Sequence, residues 1–360
     1  MPWTKIYGSR TEFEKALKDT PGLRGITYRE AIREATAQLL STDKSVFVIG
    51  EGVDDSGGVF GTTKGLQEEF GKDRVMDSPL AENGITGVCV GAAAAGMKPI
   101  LVHMRTDFLP ISLDQIVNHA AKWHYMFGGS VNIPLVIRSI IGRGWGSAAQ
   151  HSQSLQAMFM NFPGLRVIMP ATPFDAKGLL IAAVRDGNPV IMIEHRWLYE
   201  HVGHVPEEPY EVPLGKAVVR KAGKDATIVA VSHMVHEALQ AAQALQDEGM
   251  DCEVIDLRTL KPMDSETVIE SVRKTGRLIV ADTGWKECGV GAEVMAKVAE
   301  AGVALSSPLV RVNLPEAPTP ASPILEKAFY PGKNDIIEAV RKTIGHGKPE
   351  AEHINNSPVL

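Results

Sequence analysis

The sequence lacks the features of a disulfide-rich, zinc-binding or membrane-spanning protein. It contains only three cysteines, Cys89, Cys252 and Cys288, and their scattered positions fit neither a disulfide framework nor a tetrahedral zinc site. The longest apolar stretch, residues 84–99, is short for a membrane span and rich in Ala and Gly. We therefore expect a cytoplasmic protein without a membrane partner, in which this stretch forms a buried helix.

These 360 residues show no long basic run and no recognisable targeting segment. The formal net charge is -6, and no run of Lys and Arg gives an electrostatic reason to bind nucleic acid or an anionic membrane. Residues 1–5 begin neither a secretory signal nor an Arg-rich transit peptide. The glycines of residues 84–96 lack the spacing of a dinucleotide-binding loop, and the phosphate-loop, zinc-protease and serine-hydrolase motifs are absent. Small molecules and other proteins remain as partners.

The hydrophobic pattern predicts an α/β protein with two domains. The chain has 360 residues, 44% of them hydrophobic and 22% charged, which suffices for two separate cores. Between residues 27 and 194, helical patterns alternate with β-branched runs, which predicts a parallel sheet with helices on both faces. The predicted strands are residues 45–49, 99–102, 135–137, 166–168 and 190–193.

A second, smaller α/β set follows a stretch without periodicity, residues 196–213, which indicates a linker. Its strands are predicted near residues 226–231, 252–255 and 277–281, and its helices begin near Met234, Asp264 and Gly291. A last helix, residues 334–344, precedes a polar tail. The predicted division is an N-terminal segment 1–25, a first domain 26–200, a linker 201–214, a second domain 215–345 and a tail 346–360.

Glu82 is the first candidate catalytic residue. It follows a proline-containing turn in the segment DSPLAENG, residues 77–84, at the entry to the apolar helix. Ligands of open α/β sheets bind where a strand gives way to the next helix, which favours a functional role. A carboxylate at this place also caps a helix and interacts with its positive end, so the local pattern alone leaves a structural role open.

His151 is the second candidate. It lies in a glycine-rich loop, residues 142–153, that closely follows a predicted strand. Glycine lets such a loop approach a ligand, and an imidazole titrates near neutral pH. A structural hydrogen bond would explain the same residue. The histidines at positions 103, 119 and 124 have no ligand spacing around them, so we expect them in the core or at the surface.

Short motifs in both predicted domains keep a fixed order along the chain. The most specific is DSPLAENGITG, residues 77–87. The others are GEGV at 50–53, GGVF at 57–60, DQ at 114–115, AAKWHYMFGG at 120–129, AAQHSQS at 148–154, PGL at 163–165, DLRTLKPMD at 256–264 and GVGAEV at 289–294. Together they resemble the beta subunits of pyruvate and branched-chain 2-oxo acid dehydrogenases over residues 25–345. A chance match would not keep this order.

The resemblance implies an active site shared between two chains. In this transketolase-like family the beta subunit contributes the domain that binds the pyrimidine of thiamine diphosphate, and an alpha subunit holds the diphosphate and Mg²⁺. The alpha-type signature, Gly-Asp-Gly followed by a distant Asn, is absent here. The implied protein is the beta subunit of an α2β2 heterotetramer. It would oxidatively decarboxylate a 2-oxo acid and pass the acyl group to a lipoyl arm of a core acyltransferase.

The resemblance also implies roles for residues of the first domain. Glu82 is expected to hydrogen-bond the aminopyrimidine N1′ of the cofactor and so activate it, and Phe108 to pack on that ring. Leu80 and Met104 are expected as walls of the same pocket, although an aromatic residue at 108 also suits an ordinary core. His151 matches the family's active-site histidine, which orients the substrate or transfers a proton.

Two further sets of positions match the family. Glu51 matches an acidic residue that links paired active sites, and a surface carboxylate is the alternative. The family also carries a K⁺ site built largely from backbone carbonyls, whose oxygens suit a hard cation. A helix end closed by residues 186–188 without an ion is the alternative. The matching positions are Leu135, Ala183, Val184, Asp186 and Asn188.

Arg105 and Thr106 make residues 103–108 more polar than the usual family equivalent, which carries another aromatic residue, so Arg105 departs from the family pattern. It either pairs with Asp107 or with the alpha chain, or it adapts the site to a more polar 2-oxo acid. Acetoin dehydrogenase and other split transketolase-like enzymes are the alternative activities. A non-catalytic scaffold subunit is the alternative outside enzymes. For every enzymatic alternative we expect the isolated chain to be inactive.

Overall fold

The computed structural model describes residues 6–7, 10–144 and 146–345. The predictions for residues 1–5 and for the tail 346–360 lie outside the described residues, as does Trp145 in the glycine-rich loop. The strands are β1 (Gly25–Thr27), β2 (Val46–Gly50), β3 (Val75–Met76), β4 (Lys98–His103), β5 (Val136–Ile141), β6 (Arg166–Ile168), β7 (Val190–His195), β8 (Val202–His204), β9 (Val218–Lys221), β10 (Ala226–Ala230), β11 (Cys252–Asp256), β12 (Thr259–Lys261), β13 (Leu278–Trp285) and β14 (Val310–Leu314).

Helices alternate with these strands along most of the chain. They are α1 (Arg10–Asp19), α2 (Tyr28–Thr42), α3 (Leu66–Phe70), α4 (Glu82–Ala94), α5 (Trp123–Met126), α6 (Gln156–Met160), α7 (Pro173–Arg185), α8 (Met234–Asp247), α9 (Ser265–Thr275), α10 (Val290–Glu300), α11 (Pro323–Phe329) and α12 (Lys333–Ile344). Short 3₁₀-helices occupy Thr106–Ser112 and Arg196–Leu198, and a short π-helix occupies Gln115–Ala120. In the described part of the chain, none of the helices has the length and apolarity needed to cross a membrane.

The first sheet has seven strands in the order β12-β6-β7-β5-β4-β2-β3. All neighbours run parallel except β12, which lies antiparallel to β6. Along β2, Val46 and Val48 face one core while Phe47 and Ile49 face the other, because successive side chains of a strand point to opposite faces. Helices α2 and α7 cover the first core and α4 covers the second. The predicted α/β sheet is therefore confirmed.

The second sheet has five strands in the order β14-β13-β10-β11-β9. Strands β10, β11, β13 and β14 are parallel, and β9 is an antiparallel edge. Helices α8 and α12 pack on one face through Ala238 and Ile336, and α9 and α10 pack on the other. Asp264 begins α9 by accepting a hydrogen bond from the backbone N–H of Thr267, which satisfies a free donor of the first turn.

Two segments differ from their predicted form. Helix α4 buries Thr86, Cys89 and Ala93, but Val88 on its other face is 58% exposed. The prediction of a buried helix is wrong for this chain by itself, because no described residue covers that face. The predicted linker is partly regular, since it contains a helical turn and β8, which pairs antiparallel with β1. Short strands of this kind depend on a distant partner and leave little periodicity in the sequence.

A buried ion network fixes the second half of the chain to the first. Asp175, in the first turn of α7, accepts hydrogen bonds from Arg220 and, at 3.1 Å, from Arg258. Arg220 also binds Asp256 at 2.7 Å. The side chains of Asp175, Arg220 and Asp256 are at most 2% exposed. Two carboxylates and two guanidinium groups thus balance one another's charge between the two halves of the chain, in a contact that we call the seam. Strand β12 directly follows Arg258 and extends the first sheet.

Replacement of Arg220 should destabilise this seam strongly. We expect Arg220→Met to lower the free energy of unfolding by about 3–5 kcal/mol, because it leaves two buried carboxylates without their shared partner. Urea unfolding of the purified chain measures this. Arg185→Met is the matched control: Arg185 pairs with Glu211 at the surface, with side chains 45% and 48% exposed, and should cost about 0–1 kcal/mol. Equal losses in the two variants would contradict the assignment.

Candidate active site

Glu82 is the first residue of α4. The preceding turn is closed by a backbone bond from Ala81 N–H to the Pro79 carbonyl, and Ala81, the residue at the helix cap, offers no side-chain cap. The Glu82 carboxylate lies in the first turn, where the helix dipole favours negative charge. It is half-buried, and within the described residues it forms no ion pair. The side chain is therefore not consumed by capping and is available to a ligand.

Three carboxylates meet beside this helix terminus. Glu51 follows β2, and Asp77 follows the neighbouring parallel strand β3. Burial raises the pKa of Glu51, and the negative charges of Glu82 and Asp77 raise it further. Asp77 accepts a hydrogen bond from the Gly52 N–H at 2.8 Å. The structure thus brings the predicted residues Glu51 and Glu82 together and adds Asp77, which stands at the start of the sequence motif but was not predicted as a site residue.

Met104 lies beside this acidic cluster, whereas Leu80 is exposed to solvent. Met104 follows β4, and a Cβ added to Gly52 would lie 3.9 Å from its methyl group. Gly52 has a φ of +68°, so a side chain there would also be strained. Leu80 is 82% exposed. The expected wall at Leu80 can therefore exist only if another molecule covers it.

Phe108 and His151 form the second part of the site. Phe108 lies in the turn Thr106–Ser112 after β4, and His151 lies in the loop between β5 and α6. Their rings meet edge to face with centroids 5.4 Å apart. The imidazole is exposed and Phe108 is half-buried, so both can meet a ligand at the carboxyl edge of the sheet. The structure thus places two residues predicted for the site, Phe108 and His151, in contact with each other.

His103 belongs to the supporting core, as expected. Burial lowers its pKa to about 4, so the ring is neutral at physiological pH. Its Nε2 lies 3.4 Å from the Thr86 hydroxyl, which donates at 2.7 Å to the carbonyl of Glu82. These polar contacts stabilise the first turn of α4 from the core side.

The segment after His151 is joined to the second domain. Gln156 donates a hydrogen bond to Asp282 at 2.8 Å, and the Tyr330 hydroxyl donates to the Ser152 carbonyl at 3.4 Å. Asp282 is fully buried, and this burial raises its pKa to about 6. Sequence patterns did not reveal these residues, because the contacts join positions more than 120 residues apart.

The positions matched to a K⁺ site lie in the last turn of α7, in the connection from α7 to β7, and just before β5. The carbonyls of Leu135 and Ala183 each accept a backbone hydrogen bond. The Asp186 carboxylate accepts from Arg166 and, at 2.7 Å, from the Asn188 amide. Oxygen donors are gathered here, but Arg166 already gives the carboxylate a positive partner. Elsewhere in the described residues, no group of three or more His, Cys, Asp or Glu side chains could hold a metal ion.

Comparison with known proteins agrees with this architecture. Residues 24–201 match the family "Transketolase, pyrimidine binding domain", and residues 215–336 match "Transketolase, C-terminal domain". The chain is 45% identical over 336 residues to the beta subunit of an acetoin:2,6-dichlorophenolindophenol oxidoreductase from Cupriavidus necator, covering 90% of this chain and 99% of the relative. The chain belongs to this transketolase-like family of dehydrogenase beta subunits. The family predicted from the sequence motifs is confirmed.

Other members of the family carry different substrate names. A pyruvate dehydrogenase E1 component subunit beta from Rickettsia felis is 45% identical over 318 residues, covering 88% of this chain and 98% of the relative. A 2-oxoisovalerate dehydrogenase subunit beta from Bacillus subtilis is 42% identical over 320 residues, with the same coverage of 88% and 98%. These identities are so similar that overall likeness does not select a substrate.

The fold of this family member also matches a solved structure. A chain described as "Split gene transketolase, inactive beta4 tetramer" aligns with a TM-score of 0.72 at 25% identity, covering 89% of this chain and 99% of that chain. The two-domain transketolase-like fold expected from the motifs is thereby confirmed.

Asp282 gives the chain a measurable pH dependence. Its pKa in the folded state is about 6 against an ordinary value of 3.8, so between these pH values the native state keeps a proton that the unfolded chain has lost. Stability therefore falls as pH rises from about 3.8 to about 6, the loss is complete above about 6, and it is absent below 3.8. Asp282→Asn keeps an acceptor for Gln156. We expect it to raise the free energy of unfolding by roughly 1–3 kcal/mol near pH 7.5.

Urea unfolding at about pH 7.5 and pH 4 tests this prediction, since the gain should shrink at the lower pH. Asp247→Asn, at an exposed carboxylate, is the control and should leave stability unchanged at both pH values. A gain of equal size at both pH values would show that burial of the charge is not its cause.

Proposed function

We propose that this chain is the beta subunit of a thiamine-diphosphate-dependent 2-oxo acid dehydrogenase. The enzyme oxidatively decarboxylates a 2-oxo acid and transfers the acyl group to a lipoyl carrier. The observation that carries the proposal is the Glu82 carboxylate. It stands at the start of α4 without a described ion-pair partner, beside Glu51, in a member of a family whose relatives are named as dehydrogenase beta subunits.

The residues present fit the pyrimidine half of thiamine diphosphate. Glu82 provides a carboxylate that can accept a hydrogen bond, Phe108 provides an aromatic edge, and Met104 provides a flexible thioether. Leu80, just before α4, and Val88, on its outer face, are exposed in the single chain. A cofactor held there would need a second surface to shelter it from water, which suits a site completed by another subunit.

Each residue then has a task in the reaction. The bound cofactor supplies the electron sink for decarboxylation. Glu82 holds the aminopyrimidine N1′ by a hydrogen bond, which is strengthened when the site is closed and its dielectric falls. Burial and the nearby negative charges of Glu82 and Asp77 raise the pKa of Glu51, so it carries a proton more readily than an ordinary glutamate. His151, exposed beside Phe108, orients the substrate or moves a proton to it.

The partners follow from what this chain does not supply. The diphosphate and Mg²⁺ are assigned to an alpha subunit, because the sequence lacks the Gly-Asp-Gly signature. We propose an α2β2 heterotetramer that docks to a lipoyl acyltransferase core in the cytoplasm. The solved relative described as an inactive tetramer of beta chains supports the expectation that beta chains assembled without alpha do not turn over.

Acetoin dehydrogenase is the second candidate activity. The relative from Cupriavidus necator and the one from Rickettsia felis are both 45% identical to this chain, so neither acetoin nor pyruvate is favoured by similarity. Co-expression with candidate alpha subunits, followed by turnover on acetoin and a panel of 2-oxo acids, separates the two. Turnover by the beta chain alone would contradict the shared site.

Glu82→Gln tests the catalytic assignment. In the assembled enzyme we expect kcat to fall by about 10²–10⁴-fold, because the amide no longer offers the negative charge that holds the cofactor proton. Assembly and thermal stability should be unchanged. Glu68→Gln, an exposed glutamate on α3, is the matched control and should retain full activity. Full activity of Glu82→Gln would leave only a structural role and favour a scaffold subunit.

A K⁺ ion at the turn between α7 and β7 is a further proposal. Oxygen atoms of Leu135, Ala183, Val184, Asp186 and Asn188, mainly backbone carbonyls, supply ligands that suit this ion. We expect KCl to raise the melting temperature above that in NaCl of equal ionic strength, and Asp186→Ala to remove the difference. Identical melting in both salts would favour a helix end closed without an ion.

A further inference from the structure

The turn after β4 and the glycine-rich loop that carries His151 contact each other at several points. Arg105, Asp107 and Phe108 follow one another closely on the turn. The loop runs from the end of β5 to the start of α6. Its Gly142, with a φ of +97°, and its Gly146, with a φ of +70°, leave its backbone little intrinsic stiffness. Its conformation must therefore depend on contacts with its surroundings.

Arg105 holds the first part of this loop. The side chain is only 6% exposed, so the guanidinium group must find its partners inside the protein. One terminal nitrogen donates to the Gly142 carbonyl at 3.3 Å, and the other donates to the Ser147 hydroxyl at 3.4 Å. The same guanidinium lies 5.8 Å from the Phe60 ring centroid. Within the described residues it forms no ion pair, with Asp107 or with any other carboxylate.

Asp107 holds the last part of the loop. Its Oδ1 accepts a hydrogen bond from the Gln153 N–H at 3.1 Å, two residues beyond His151. The other oxygen is buried and has no hydrogen-bond partner among the described residues. Burial raises the pKa of this carboxyl group, although the bond from Gln153 and the charge of Arg105 oppose the change. Asp107 thus keeps one specific anchor on the loop.

His151 lies between these two anchors. Phe108 contacts its ring edge to face, with centroids 5.4 Å apart, but a single ring contact does not fix the direction of an exposed imidazole. We propose that Arg105 and Asp107 are positioning residues that clamp the two ends of the loop and so aim His151 at the substrate. This inference rests on the proposed role of His151 in the reaction, and it adds to that role the residues through which it is maintained.

The clamp is tested by variants that separate shape from hydrogen bonding. In the assembled enzyme Asp107→Ala removes the acceptor for Gln153, and we expect kcat to fall about 10–100-fold while KM changes less than about threefold, as for a misplaced catalytic group. Asp107→Asn retains an acceptor and should rescue most of the activity. Arg105→Gln should also lower kcat, and Arg105→Lys should restore part of it. Asp114→Asn, an exposed carboxylate beyond the same turn, is the control.

A double-mutant cycle shows whether the effect passes through His151. If Asp107 acts only by positioning, then adding Asp107→Ala to a His151→Ala enzyme should cause less than about a twofold further loss. Losses that multiply would overturn the inference, as would an Asp107→Ala enzyme with normal kcat. Arg105→Gln that changes the preferred acid while kcat on the best acid stays normal would overturn it for Arg105. Full activity of His151→Ala would overturn the proposed role of His151 and this inference together, whereas a loss there with a silent Asp107→Ala would overturn the inference alone.

Discussion

Asp175 meets two guanidinium groups in the seam between the halves of the chain, and the position of the second domain depends on this buried contact. Arg220 bridges Asp175 and Asp256, and Arg258 supplies the fourth charge. Removing such charges from water is costly, and the geometry must be nearly complete to offset that cost. The network therefore tolerates few relative orientations of the two domains. Strand β12 restricts the orientation of the domains further, because it can pair with β6 only when the domains are in register.

The orientation of the domains matters for the candidate site because the second domain holds part of the loop that carries His151. Tyr330 contacts the backbone at Ser152, and Asp282 receives the Gln156 side chain. On its other side the loop is held by Arg105 and Asp107 of the first domain. His151 is thus placed by groups from both domains, whereas Glu82 and Glu51 are placed by the first sheet alone. The acidic part of the site is set by local structure, and the histidine part is set by the seam.

This difference explains how much could be predicted from the sequence. The strands before Glu51 and Phe108 are long β-branched runs, and the motif around Glu82 is continuous in the chain, so both were predicted. Strand β12 was missed because three residues carry little periodicity and their partner β6 lies some ninety positions earlier. The hydrogen bond between Gln156 and Asp282 was missed because its partners lie 126 positions apart in the chain. The exposure of Leu80 and Val88 was missed because apolar side chains predict burial. The sequence does not show whether this chain or another molecule buries them.

The open side of the site has an electrostatic as well as a geometric meaning. Glu51, Glu82 and Asp77 lie on neighbouring turns, and none of them pairs with a cation among the described residues, so their repulsion raises the free energy of the isolated chain. A bound group that donates hydrogen bonds to this cluster relieves the repulsion, which favours the complex over the isolated chain. The groups that relieve this repulsion must come from outside the chain, where Leu80 and the outer face of α4 are exposed. Relatives named for acetoin, pyruvate and 2-oxoisovalerate are 42–45% identical to this chain. Overall likeness therefore does not select among these substrates, and under the proposed function the surface that completes the open side contributes to that choice.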